Sequence, residues 1–162
     1  MGGRMHIWTA DKWKNILAPD RRTGIRIRVE PSVDDEVRSA CKNFVQWLRS
    51  EYDFPLRVPI YVKSAPYLIT LDGEKAVGTF FEPLDHSTEP YIRIATGDYP
   101  ALKSSMGRDN ALASILLTVA HELTHYYQWI NGIELTPVGM ERQASRYAHS
   151  IVDAYAETRE HP

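Results

Sequence analysis

The chain has 162 residues, 43% hydrophobic and 25% charged, the composition of one ordinary folded domain rather than a disordered or fibrous chain. With 19 Lys and Arg against 21 Asp and Glu, the formal charge is −2, so no overall field draws the chain to nucleic acid or anionic lipid. Cys41 is the only cysteine, which excludes an internal disulfide and a thiolate-rich zinc finger and fits a reducing compartment. The first ten residues lack the apolar segment of a secretory signal, and the apolar run 111–120 is too short to span a bilayer, so a cytoplasmic protein without membrane partner is expected.

Residues 8–17 read as a short helix, with Thr9 as N-cap, Trp8 and Trp13 stapled across it and Pro19 ending it. Over 24–30, Ile25, Ile27 and Val29 alternate with Arg26 and Arg28, the pattern of a strand with one buried face. Arg21, Arg22, Arg26 and Arg28 read as exposed charge rather than a nucleic-acid patch. Pro31 and Ser32 open an amphipathic helix to about residue 50, with Val33, Val37, Cys41, Phe44, Val45 and Leu48 at three- and four-residue spacing. Strands follow at 57–62, 67–71, 76–81 and 91–95, broken at Pro66, Asp72-Gly73 and 83–90.

A loop over 97–108 leads to Asp109 as N-cap of the longest helix, which stops at Asn131-Gly132. A last helix starts on Thr136 and Pro137 and continues to about 158. The order predicts an α+β fold: a helix, a small mixed sheet of about four strands, then two helices. No repeat and no long linker divides the chain, giving an N-terminal arm over 1–30 and one domain over 31–162.

The long helix contains His121-Glu122-Leu123-Thr124-His125, the H-E-x-x-H arrangement. Two imidazoles one turn apart close on one zinc ion, with the intervening carboxylate beside the metal's open position. Leu112, Leu116, Val119, Leu123, Tyr126 and Ile130 form the apolar stripe of that helix. At about 100° per residue, His121 and His125 lie nearly opposite it, with Ser114, Thr118 and Gln128. The plain alternative is a pair of surface histidines on an amphipathic helix.

A catalytic zinc takes a third protein ligand and keeps a fourth position for water. The metzincin continuation fails, because Gln128 and Asn131 stand where it needs glycine and histidine. Glu141, on the last helix, shares its face with Ala144, Ala148 and Val152, residues that let two helices approach closely. It is the favoured third ligand, and Glu134 in the turn is the runner-up. Glu122 would take a proton from the metal's water and return it to a leaving amine. Tyr147, His149 and Tyr155 are candidate oxyanion donors that equally serve as packing, and His86 is a cleft candidate that reads better as a surface residue.

The H-E-L-T-H segment and the downstream 141–148 stretch, Glu-Arg-Gln-Ala-Ser-Arg-Tyr-Ala, resemble the gluzincin clan of zinc metallopeptidases, in particular the ImmA/IrrE peptidases and the minigluzincins. Specific residues match only in the last two helices. Ser145 stands where thermolysin-like enzymes carry an aspartate, and no part of the chain is long enough for the DNA-binding domain that often accompanies ImmA/IrrE proteins. The resemblance implies a zincin-like fold, one zinc ion, and hydrolysis of a peptide or protein substrate. It also implies that the strand before the zinc helix, Tyr91, Ile92, Arg93, Ile94 and Ala95, pairs with extended substrate. A latency role for the N-terminal segment, like that in zymogenic minigluzincins, stands beside the favoured reading of a packed N-terminal arm. The rival reading is a catalytically silent zinc-binding regulatory module.

Overall fold

The computed structural model describes residues 6–162. Its centre is a mixed four-stranded sheet in the order β1-β2-β6-β5, where β1 is Ile25–Val29, β2 Val58–Lys63, β5 Gly78–Phe81 and β6 Tyr91–Ala95. β1, β2 and β6 run parallel, and β5 closes one side antiparallel to β6. Register puts Ile25, Val58, Ile60, Val62, Ile92 and Ile94 on one face, all without exposed surface. The other face carries Arg26, Arg28, Tyr61, Lys63, Tyr91 and Arg93, the alternation expected of a sheet buried on one side.

Helices α1 (Asp35–Glu51) and α3 (Arg108–Ile130) pack on the apolar face, and α4 (Pro137–Ala156) packs on α3. The Asp34 carboxylate caps α1 by accepting from Glu36 N at 2.8 Å. Val37, Cys41, Phe44, Val45 and Leu48 are buried along it as the spacing predicted. Thr136 caps α4 by accepting from Gly139 N at 3.0 Å. The fold is therefore α+β, with four helices among the described residues. None of these helices is long and apolar enough to cross a membrane.

Several expectations are corrected. Residues 8–17 form two 3-10 turns, Ile7–Thr9 and Lys12–Asn15; the first is capped by His6, whose Nδ1 accepts from Trp8 N at 3.1 Å. The expected loop over 97–108 contains α2 (Tyr99–Met106), which is anchored by one buried residue, Tyr99, and so offers no apolar period to read. Asp109 lies inside the first turn of α3, after Gly107. The 67–71 and 76–81 segments become a two-residue pair, β3 (Leu68–Ile69) with β4 (Lys75–Ala76), and a separate β5. Ala95 N donates to Val77 O at 2.8 Å, carrying the β5–β6 pairing one residue beyond Gly78. Within the expected arm over 1–30, β1 belongs to the central sheet, and residues 1–5 lie outside the described residues.

Candidate metal centre

The rotation of α3 is fixed by its buried polar anchors. Tyr126 Oη donates to Leu56 O at 2.6 Å and accepts from Leu56 N at 3.0 Å, and Tyr127 Oη donates to Asp53 O at 2.6 Å. Thr124 Oγ1 accepts from the Trp8 indole at 2.9 Å and donates to Ala120 O at 2.8 Å. With these residues turned inward, His121 and His125 face α4 and the free edge of β5. On that face His121 and His125 are partly exposed, whereas Gln128 has no exposed surface.

α4 approaches closely because Ala144 and Ala148 are completely buried against its neighbours. Glu141 then spans the two imidazoles: its Oε2 lies 3.0 Å from His121 Nε2 and its Oε1 2.9 Å from His125 Nε2. One ligand atom from each of the three residues falls within 4.8 Å of the others. Tetrahedral zinc with bonds of about 2.0 Å needs donor atoms roughly 3.3 Å apart, so two imidazoles and a carboxylate at these distances fit the ion in spacing and in chemistry. Burial, then the neighbouring His125, holds the His121 pKa below its usual value, which favours the neutral imidazole that a metal binds.

His125 is oriented from behind. Its Nδ1 lies 2.8 Å from Gln128 Oε1, while Gln128 Nε2 donates to Met140 O at 3.0 Å and to Gln143 Oε1 at 2.9 Å. The Met140 carbonyl accepts only, so it fixes which end of the Gln128 amide faces the histidine. Nδ1 then carries the proton and Nε2 keeps its lone pair for the centre. On His121 the corresponding Nδ1 faces Ser145 Oγ at 3.5 Å. Gln128 was visible in the sequence on the histidine face, but nothing there showed what it touches.

Glu122 lies beside the trio. It is 8% exposed, and burial, then the negative charge of Glu141, pushes its carboxyl up to about 8. Gly78 of β5 sits directly on it: a side-chain carbon at Gly78 would lie 2.6 Å from Thr118 Cγ2 and 3.2 Å from Glu122 Oε2. A cleft of about 660 Å³ runs past Glu122, His125 and Glu141 and includes Gly78, Thr79 and Arg93.

The other sequence candidates separate clearly. Strand addition at Tyr91 to Ala95 is corrected by the topology, because β6 already has β2 on one side and β5 on the other; among the described residues the edge strands are β1 and, beside the zinc-motif helix, β5. Tyr91 and Arg93 still line the cleft through their side chains. Among the oxyanion candidates, Tyr155 is buried against Phe44 and Trp47, Tyr147 packs against His6, and His149 is exposed; none lines the cleft. Glu134 is an exposed turn residue outside the trio. His86 stacks on Trp129 and bonds its carbonyl oxygen at 2.8 Å, a packing position. Trp8 packs on Tyr52 and Tyr127, and no described residue of the arm lines the cleft.

No protein-family model, curated protein or solved structure matches this chain.

Proposed function

We propose that this chain is a zinc-dependent peptidase of gluzincin type with a zincin-like fold, holding one zinc ion on His121, His125 and Glu141. The observation that carries the reading is Glu141 within 3.0 and 2.9 Å of two imidazoles, with a buried carboxyl, Glu122, beside them. When bound, zinc supplies Lewis acidity, lowering the pKa of a water molecule and polarising a carbonyl group.

The chain's own residues do the remaining work. Glu122, whose carboxylate form the positive charge of a bound zinc would favour, would accept a proton from the attacking water at a carboxylate oxygen and deliver it to the departing amine nitrogen. Its burial keeps competing solvent away, and its contact with Gly78 fixes its place under the edge strand. The unpaired backbone of Gly78–Phe81 binds an extended substrate by adding it to the sheet as a further strand. Such pairing grips main chain, so the substrate class is peptide rather than a small molecule.

The test is a pair of measurements on wild type and Glu122→Gln: zinc content, and cleavage of unfolded protein. The variant is expected to keep one zinc per chain and lose cleavage. Equal cleavage by both proteins removes Glu122 from the mechanism, and zinc binding without cleavage in wild type favours the silent regulatory module.

A further inference from the structure

Among the described residues, Arg93 is the only Lys or Arg that lines the cleft. Its Nε is buried without a hydrogen-bond partner, and the guanidinium takes part in no ion pair among the described residues. Desolvating a guanidinium nitrogen and leaving it unpaired is costly, which distinguishes Arg93 from the solvated arginines of β1. The acidic residues at the same rim do not answer it. Asp72 is bonded to Thr70 Oγ1 in its own turn, and Glu82 is exposed at the end of β5. From this we infer that Arg93 is the specificity determinant of the cleft, binding a carboxylate of the substrate chain; the inference rests on the peptidase reading.

Register gives the position. Gly78, which touches Glu122, pairs with Ile94, and the next residue, Thr79, pairs with Arg93. Gly78 therefore points to the helix face and Thr79 to the outer face with Arg93. A substrate strand added at the free edge of β5 alternates in the same way, one side chain toward Glu122 and the next toward the outer face. The outward side chain closest to Glu122 lies beside Thr79, a small residue that an arginine can reach across. Two strand spacings, about 10 Å, separate β6 from that substrate strand, a gap that an extended arginine and an acidic side chain close between them. The carboxylate recognised thus lies within about two residues of the scissile bond. It comes either from Asp or Glu or, where cleavage is near the end of the chain, from the terminal carboxylate.

The probes are ten-residue peptides in which one Glu, Gln or Lys is walked through a neutral sequence, each with a free and an amidated C-terminus. Cleavage by the zinc-loaded protein is read by mass spectrometry, and affinity for Glu122→Gln is read by calorimetry. The expected result is a preference of about tenfold or more for Glu over Gln at one position near the cleaved bond, in affinity and in kcat/KM. Arg93→Gln abolishes that preference, Arg93→Lys retains part of it, and Arg93→Glu shifts it toward Lys. A preference set instead by the free C-terminus assigns the terminal carboxylate as the group bound. Cleavage with no Glu or C-terminal preference, or a preference that survives Arg93→Gln in folded protein, overturns the assignment while leaving the peptidase reading intact. Cleavage of no peptide overturns the peptidase reading and the inference together.

Discussion

At the scale of single residues, the proposed ligands and the residues behind them differ in how far sequence shows them. H-E-x-x-H carries its own geometry, because a four-residue separation on a helix fixes two imidazoles on one face. Glu141 was legible from Ala144 and Ala148, whose small side chains announce close helix packing. Gln128 was not, since its role depends on Met140 and Gln143, which only tertiary contact brings to it. Gln128→Leu is expected to weaken zinc affinity about ten- to hundredfold while leaving the helical circular dichroism unchanged. Gln128→Glu, which keeps an acceptor for His125 Nδ1, restores part of it; unchanged affinity in Gln128→Leu contradicts the orienting role. Burial pushes the Cys41 thiol up to about 12, so it should resist alkylation near neutral pH until the protein unfolds. Rapid labelling of the native protein would place Cys41 outside the core.

Among the elements, the contact between β5 and α3 makes the cleft. Gly78 is needed there for close approach, because a Cβ would meet Thr118 Cγ2 at 2.6 Å. Gly78→Ala is expected to cost about 1 to 3 kcal/mol and to reduce cleavage more than zinc binding. Trimming the neighbour with Thr118→Ser removes the methyl group in the way and should recover much of the loss. Denaturant unfolding of both variants checks this, and a Gly78→Ala protein as stable as wild type contradicts the contact. Helices α1, α3 and α4 were legible because their apolar periods run for many turns. α2 escaped, being too short to show a period and held by contacts such as Tyr99 Oη donating to Glu36 Oε1 at 2.9 Å, while β3 fell within the expected 67–71 strand but its pairing with β4 was not visible. The choice of edge strand was also hidden. Strand order is set by which strands pair across the sheet, and the alternation within β5 or β6 says nothing of its neighbours.

For the molecule as a whole, the described part of the N-terminal arm packs as part of the core through Ile7, Trp8, Ala10 and Leu17. Trp8 is 2% exposed, sits against Tyr52, Phe54 and Tyr127, and donates to Thr124 on the zinc-motif helix. Deleting residues 1–20 should therefore lower the melting temperature without raising peptidase activity. A gain of activity in a folded truncation would restore the latency role. The same connectivity would tie metal to stability: the three proposed ligands come from two helices, so zinc should bind the folded chain far better than the unfolded one and raise the midpoint of unfolding. Centrally, the account claims one ion shared between α3 and α4, and anomalous scattering at the zinc edge from crystals of the zinc-loaded protein tests it most directly. A single peak bounded by His121 Nε2, His125 Nε2 and a Glu141 oxygen is predicted. Zinc-free crystals after incubation with the ion, or a peak anywhere else, would contradict it.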